Sequence, residues 1–202
     1  MLDKYIVPRL KPGLNLTATN LRRSGITADQ VSITGFVIGI MAIGATSLGH
    51  FNLALLLMLI SRLADGLDGE LARLSNPTDA GGFLDITLDF VFYAAFPLGF
   101  AVYSPADNAL PAAFLVASFV GTGSSFLTFA AMAEKRSIVN RDFAYKGLYY
   151  LDGLAEGTET ILCFALMCLL PHHFATIAWI FGAICLATTA NRVISGYLTL
   201  RE

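Results

Sequence analysis

Six apolar segments of about 20 residues follow one another along the chain and limit the folds that are open to it. A helix of that length crosses the roughly 30 Å hydrocarbon core of a bilayer. Hydrophobic residues make up 55% of the 202 positions and charged residues only 14%, and the mean hydropathy is +0.65. We therefore predict an all-α integral membrane protein, with six transmembrane helices in a single domain over residues 1–202. The predicted spans are residues 31–48, 52–73, 82–103, 109–132, 149–170 and 174–198.

The positions of the basic residues predict how these spans are oriented. The connections at residues 49–51, 104–108 and 171–173 contain no lysine or arginine, so the basic residues lie toward the other side of the membrane. By the positive-inside rule, that other side is cytoplasmic. We predict a protein of the inner (plasma) membrane. Its two termini should face the cytoplasm, and so should the group of four aspartates that is described below.

Residues 1–25 precede the first span and mix apolar with basic side chains. Pro8 and Pro12 interrupt any continuous apolar core, which argues against a signal peptide. The composition instead predicts an amphipathic segment that lies at the membrane interface, with Pro12 as a point where its helix can break. Thr27 and Gln30 have the spacing of a capping box, which predicts a helix start for the first span.

Four aspartates stand at the polar ends of the second and third spans, where charge is costly. Asp65 and Asp68 are three residues apart, and Asp85 and Asp89 are four apart, so each pair shares one face of a helix. Two helices in contact would bring the carboxylates together, where they repel one another unless cations neutralise them. Two hard divalent cations, Mg²⁺ or Mn²⁺, suit such oxygen ligands. The structural alternative is that the aspartates cap helix ends or pair with nearby arginines, Arg62 and Arg73.

The residues around these aspartates form a longer pattern. In order, it consists of Asp65, Asp68, Gly69, Ala72, Arg73, Gly81, Asp85 and Asp89. This pattern resembles the signature of the CDP-alcohol phosphotransferase family, also called the CDP-alcohol phosphatidyltransferases. The turn between the two halves, residues 74–80, is one residue shorter than the family usually has. Residues 26–36 also resemble the start of the family's first span, so the resemblance extends beyond the motif.

The resemblance implies an enzyme of phospholipid biosynthesis that transfers a phosphatidyl group from CDP-diacylglycerol to a polar alcohol and releases CMP. A water-soluble CDP-alcohol with a lipid acceptor is the other arrangement that the pattern allows. Two divalent cations would be held by Asp65, Asp68, Asp85 and Asp89, and Asp89 would also be the catalytic base. The implied assembly is a homodimer among membrane lipids, and no nucleic-acid partner is expected. The implied CDP-binding and phosphate-binding residues are Gly69, Ala72, Arg73, Gly81 and Gly82.

Each of these binding residues also has a structural interpretation. Glycine and alanine are common where membrane helices touch, and an arginine near a helix end can anchor it at the headgroups. Gly35 and Gly39 have the GxxxG spacing of such a contact, and helix packing or dimerisation is a sufficient explanation for that pair.

The acceptor site is less clearly marked in the sequence. Asp152, Glu156 and Glu159 are spaced by four and three residues, which predicts one acidic face on the fifth span. Glu156 and Glu159 are candidates for binding an acceptor that carries an amine, or for pairing with Arg62 or Arg192. Lys146, in the basic connection before this span, is a candidate for binding an anionic acceptor, or it serves only topology and lipid attraction.

Two other classes of function stay open at the level of sequence. A small cation-coupled transporter would use intramembrane carboxylates, although transport sites usually lie at mid-membrane and these aspartates gather at one side. An aspartate-rich intramembrane prenyltransferase would use its metals to bind a prenyl diphosphate. The spacing of Gly69, Ala72 and Arg73 favours a nucleotide over a prenyl group.

Overall fold

The computed structural model describes residues 3–136 and 154–201, and every regular element in these two ranges is helical. The predicted all-α class is therefore confirmed. The helices are α1 (Asp3–Arg23), α2 (Ala28–Ser47), α3 (Phe51–Ser75), α4 (Asp79–Tyr103), α5 (Pro105–Lys135), α6 (Gly157–Leu169) and α7 (Phe174–Arg201), with a 3₁₀ turn at Pro171–His173 before α7.

Four of the helices, α2, α4, α5 and α7, are long and apolar enough to cross a membrane. The α3 helix has 25 residues and is about 37 Å long, but its second half carries Arg62, Asp65 and Asp68. The α6 helix has 13 residues and is only about 20 Å long. It begins at Gly157, later than the predicted start of the fifth span, whose first residues lie outside the described ranges. Spans at α3 and α6 therefore stay a prediction.

The N-terminal segment is one continuous helix, α1, and is not divided at Pro12. Each internal proline lacks the N–H that would bond to the preceding turn, and the helix continues without those bonds. The α1 helix packs against α3, where a Cβ placed on Gly66 would lie 3.3 Å from Leu14 Cδ1. It is thus tied to the helix that carries Asp65 and Asp68, while its location at a membrane interface stays a prediction.

The start of α2 agrees with the sequence. Gly25 has a φ of 77°, which glycine adopts without steric cost and which turns the chain out of α1. The Thr27 hydroxyl then accepts a hydrogen bond from the Gln30 backbone at 3.3 Å, and the Gln30 side chain accepts one from the Thr27 backbone at 3.1 Å. The predicted capping box is confirmed.

The contact of α2 with its neighbours depends on two glycines. The α2 helix packs against both α3 and α4. A Cβ on Gly35 would lie 2.8 Å from Ala64 Cβ, and a Cβ on Gly39 would lie 2.8 Å from Phe92 Cδ2. Both separations are shorter than carbon atoms tolerate, so these positions need glycine. The packing explanation of this GxxxG pair is confirmed.

An aromatic core fixes α4 against α6 and α7. The rings of Phe96 and Phe164 stack with centroids 4.6 Å apart, and those of Phe100 and Phe174 stack at 4.5 Å. All four side chains are fully buried, and contacts of this kind stabilise a core beyond the area that they bury. The second half of α4, the helix that carries Asp85 and Asp89, is therefore held in place by aromatic packing.

The glycine contact makes a prediction about stability. Gly39→Val should lower the free energy of unfolding by about 1–3 kcal/mol, because the new side chain overlaps Phe92. Gly44→Val is the matched control on the same helix, since no described atom lies within 4 Å of a Cβ placed there. Thermal unfolding in detergent measures both variants. Equal melting temperatures for the two would show that the α2–α4 contact is not close-packed.

Candidate metal and nucleotide site

The chain reverses direction between the two pairs of aspartates. Residues 76–78 join α3 to α4, and Asn76 has a φ of 73°, a left-handed conformation that asparagine tolerates better than most residues. Thr78 caps α4, because its hydroxyl accepts a hydrogen bond from Gly81 N at 3.0 Å. The second half of α3 therefore lies near the first half of α4, and the four carboxylates line one small cavity with Ser32 and Ser61.

Three of the carboxylates form a cluster. Asp65, Asp68 and Asp85 each offer an oxygen atom, and these atoms all lie within 4.8 Å of one another. Asp68 is only 3% exposed, and neither of its oxygens accepts a hydrogen bond of normal geometry from the described residues. A buried carboxylate without a hydrogen-bond donor is unfavourable unless a cation binds it. This three-carboxylate cluster, made of hard oxygen ligands, fits a divalent cation such as Mg²⁺ or Mn²⁺.

The fourth carboxylate, that of Asp89, is bound by an arginine. Arg62 Nη1 donates a hydrogen bond to Asp89 Oδ1 and lies 3.5 Å from Asp65 Oδ1. The structural alternative considered for the aspartates is thus realised at Asp89 and, at longer range, at Asp65. It is not realised at Asp68 and Asp85 by any ion pair among the described residues.

Arg73 pairs with a residue that the motif does not include. Its Nη2 donates to Glu70 Oε1 at 2.8 Å, and the Glu70 side chain is buried. The pairing places the guanidinium beside Gly69, where a Cβ would lie 3.5 Å from Nη2. The sequence signal for this contact is the three-residue spacing of Glu70 and Arg73 on one helix, which is typical of an ion pair.

A cavity of about 430 Å³ extends from the cluster. Asp68 and Asp85 lie in its wall, together with four of the five residues that the family resemblance assigns to CDP binding: Gly69, Ala72, Gly81 and Gly82. Arg73, the fifth, is outside the lining. The sequence did not single out the rest of the wall, which includes the start of α2 and the turn before α4, with Thr27, Asp29, Ser32, Asn76 and Thr78.

The glycines of this cavity differ from those that pack helices together. A Cβ on Gly82 would meet no described atom within 4 Å, and one on Gly69 would meet only the Arg73 guanidinium. No neighbouring helix therefore requires these two positions to be small. On Gly81, a Cβ would lie 3.1 Å from both Asp29 Oδ1 and Thr78 Oγ1, so this position is partly constrained by the cap of α4.

A second cavity, of about 340 Å³, lies among α4, α5, α7 and the start of α6. Most of its walls are apolar or aromatic, but Glu156 and Arg192 also line it, and these are 9% and 7% exposed. Arg192 Nη1 donates to the Thr122 carbonyl at 3.2 Å. Phe90 and Tyr93 form part of the wall and neighbour Asp89 along α4, so the second cavity also lies near the aspartates.

The predicted acidic face of the fifth span takes a different form. Glu156 is the residue before α6, with extended backbone at φ −122°, so it does not belong to a helical stripe. Its position is set by Leu154 N and Ala155 N, which donate to Thr188 Oγ1. Glu159 lies in the first turn of α6 and is outside the lining of the second cavity. Asp152 and Lys146 lie outside the described residues.

Residues 25–191 match the family model of the CDP-alcohol phosphatidyltransferases. The chain belongs to this family. The resemblance noted in the sequence is thereby confirmed, and family membership favours a transferase of phospholipid biosynthesis over the transporter and prenyltransferase alternatives. With its four apolar helices, this family member is an integral membrane protein.

Several known proteins are similar to this CDP-alcohol phosphatidyltransferase. Inner membrane protein YnjF of Escherichia coli strain K12 is 54% identical over 202 residues, which cover 100% of this chain and 98% of that protein. Archaetidylinositol phosphate synthase of Pyrococcus horikoshii is 36% identical over 103 residues, or 50% of this chain and 54% of that one.

Solved structures show the same fold. The phosphatidylinositol phosphate synthase PgsA1 of Mycobacterium tuberculosis with CDP-DAG bound matches with a TM-score of 0.67 and 19% identity, covering 91% of this chain and 93% of that chain. The same protein in complex with manganese and citrate matches with a TM-score of 0.68 and 19% identity, covering 91% and 88%.

The three-carboxylate cluster of this family member makes a prediction about metal binding. Mn²⁺ should raise the melting temperature, because it binds the folded protein and relieves the repulsion among the three carboxylates. At a free concentration one hundred times the Kd, the gain is about 2.7 kcal/mol. Asp68→Asn should lose most of this gain, and thermal unfolding in Mn²⁺ and in chelator measures it.

The control is Asp107→Asn, which removes a carboxylate from the first turn of α5, where it accepts a hydrogen bond from Ser104 at 2.9 Å. This variant should keep the full response to Mn²⁺. Melting curves of the wild-type protein that coincide in Mn²⁺ and in chelator would contradict the assignment of the cluster as a metal site.

Proposed function

We propose that this protein transfers a substituted phosphate group, in the favoured case phosphatidyl, from CDP-diacylglycerol to a polar alcohol with release of CMP. The observation that carries the proposal is the continuity between the three-carboxylate cluster and the 430 Å³ cavity, whose wall contains Gly69 and Gly82. A cation site that opens into a glycine-lined cavity suits a nucleotide diphosphate. The similar PgsA1 structures, one with CDP-DAG and one with manganese, support this choice of donor and ion.

The roles of the acidic residues follow from their positions. Asp65, Asp68 and Asp85 would hold a divalent cation, and Asp89 would complete the site for a second one. When bound, Mg²⁺ or Mn²⁺ would neutralise the diphosphate and polarise the phosphorus that is attacked. Because these side chains project from two helices fixed by packing, the ligand set is in place before the donor arrives.

The open glycines would let the nucleotide approach the backbone. Gly69 and Gly82 present no Cβ to the cavity, and Ala72 and Gly81 add little bulk to the same wall. Arg73, held beside Gly69 by Glu70, can offer a planar pair of donors to a phosphate that enters there. Glu70 would then be a positioning residue for Arg73.

The reaction proper needs one proton transfer. The acceptor hydroxyl attacks the phosphorus that carries the diacylglycerol, its proton passes to Asp89, and the bond from this phosphorus to the bridging oxygen breaks. The leaving oxygen departs with CMP. Arg62 donates to Asp89 Oδ1, so Oδ2 is the atom that we assign to the proton.

The acceptor would enter from the second cavity, because Phe90 and Tyr93 place it next to Asp89. Glu156 in its wall favours an acceptor with an amine over one with a second phosphate. Glu159 and Lys146 keep their candidate roles as predictions. If instead the donor is a soluble CDP-alcohol, the same apolar cavity would take a lipid acceptor.

We further propose six spans, with α3 and α6 as the two additional ones and α1 at the interface. The charged second half of α3 and the first turns of α4 would then lie at one membrane face, which the positive-inside rule makes cytoplasmic. A homodimer in the inner membrane is the proposed assembly.

Release of CMP tests the proposed reaction. Purified protein in detergent with Mn²⁺, CDP-diacylglycerol and a mixture of polar alcohols should release CMP and form a new lipid, both followed by mass spectrometry. Asp89→Asn should slow this by about 100-fold or more, as expected when a general base is lost. No CMP from any donor, together with identical behaviour of Asp89→Asn, would contradict the proposal.

The glycine wall gives a second test. Gly82→Leu should fold normally, because its side chain enters open space, but it should reduce kcat/KM for CDP-diacylglycerol by about tenfold or more, equivalent to about 1.4 kcal/mol. The control is Gly44→Leu, whose side chain also enters open space. Gly44 lies near the end of α2, whereas the cavity is lined by the start of that helix, so this variant should leave kcat/KM unchanged. Equal kcat/KM values for the two variants would contradict the assignment of CDP binding to this cavity.

The acceptor assignment is tested by substrate preference. The acceptors to compare are serine, ethanolamine, glycerol phosphate and inositol. In Glu156→Gln, the turnover of glycerol phosphate, the anionic acceptor, should rise relative to that of the others, because the second cavity loses one negative charge. The control is Glu134→Gln, an exposed position near the end of α5. An unchanged acceptor profile in Glu156→Gln would place the acceptor elsewhere.

A further inference from the structure

Arg62 occupies the space between two carboxylates of the candidate site. One nitrogen, Nη1, donates to Asp89 Oδ1 on α4 and lies 3.5 Å from Asp65 Oδ1 on its own helix. A single cationic atom therefore links acidic groups from both helices. The CDP-alcohol pattern itself contains no residue at this position, since it begins at Asp65.

The guanidinium is fixed by groups other than the aspartates. Its central carbon lies 4.2 Å from the centroid of the Phe92 ring and 5.3 Å from that of Tyr93, and Nη2 donates to Ser61 Oγ at 3.1 Å. The Arg62 side chain is 6% exposed, and Phe92 and Ser61 are fully buried. Stacking on aromatic rings and a buried hydrogen bond favour arginine over lysine here.

This fixed position makes Arg62 a permanent part of the charge balance. The four carboxylates carry four negative charges, and the guanidinium supplies one positive charge at Asp89 and Asp65. Removing Asp89 from it would leave the guanidinium, which is 6% exposed, buried without its closest counter-ion, and this is strongly unfavourable. A divalent cation that approached Asp89 would meet the repulsion of a positive charge already bound to Oδ1.

We propose that Arg62 serves as a built-in cation of the site, which occupies Asp89 so that the free enzyme binds one divalent cation tightly, at Asp65, Asp68 and Asp85. A second divalent cation competes with Arg62 for Asp89 and binds much more weakly. The inference rests on the proposed function for its metal assignment. Arg62 is in this sense a positioning residue for Asp89, whose carboxylate it holds in the absence of a second ion.

The test counts bound ions directly. Purified full-length protein in detergent is titrated with Mn²⁺, and free Mn²⁺ is measured by electron paramagnetic resonance. The wild type should bind one ion tightly. Arg62→Met should bind a second ion at least about tenfold more tightly than the wild type does, because the competing charge is gone. Arg62→Lys should stay closer to the wild type, since the charge is retained.

Two further variants separate competition from general damage. Arg62→Met combined with Asp89→Asn should return to one ion, because the second ion uses Asp89. Arg192→Met removes another buried guanidinium, one that donates to the Thr122 carbonyl in the wall of the second cavity, and it should leave the ion count at one.

The outcomes distinguish this inference from the proposed function. Two equally tight ions in the wild type, or one ion in both the wild type and Arg62→Met, would overturn the role of Arg62 while leaving CMP release intact. A wild type that binds no Mn²⁺ and releases no CMP would overturn the proposed function itself. If Arg62→Met fails to fold, two tight ions in the wild type would still contradict the inference, and a weak second ion that is lost in Asp89→Asn would support it.

Discussion

The mutual repulsion of carboxylates in a poorly hydrated helix bundle is the constraint on which the rest of this structure depends. Asp65, Asp68 and Asp85 are brought within a few ångströms of one another, and Asp68 has no normal hydrogen-bond donor among the described residues. Such an arrangement persists only when packing elsewhere holds the helices in place and when cations offset the charge. The glycine contacts of α2 and the aromatic core behind α4 supply the first condition, and Arg62, together with the divalent ions that we propose, supplies the second.

Small residues have two separate uses in this protein, and the structure tells them apart. Gly35 and Gly39 face atoms that a Cβ would overlap, so they are required by packing. A Cβ on Gly82 would meet no described atom within 4 Å, and one on Gly69 would meet only the Arg73 guanidinium, which suits the approach of a ligand to the backbone. Sequence spacing alone left both interpretations open for Gly69 and Gly82, because a glycine in a membrane helix carries no signal about what it faces.

Local features of the sequence predicted much of the fold and of the site. The all-α class, the capping box at Thr27 and the grouping of the aspartates all follow from periodicity and short spacings, which local geometry determines. The sequence offered Arg62 as a partner for the aspartates, and the spacing of Glu70 and Arg73 on one helix is itself typical of an ion pair. The selection of Asp89 by Arg62 and the cavity beside Glu156 could not be predicted, since each depends on how distant helices pack. The start of α6 at Gly157 was also not predicted, because the sequence before this residue does not mark where the helix begins.

The central claim is that a divalent ion held by these aspartates contacts the diphosphate of a CDP-alcohol. Electron–nuclear double resonance on the Mn²⁺-loaded protein measures this directly through the hyperfine coupling of ³¹P to Mn²⁺. This coupling should appear when CDP-diacylglycerol is added to the wild type and should be lost in Asp68→Asn. Bound Mn²⁺ that shows no ³¹P coupling with saturating CDP-diacylglycerol would contradict it.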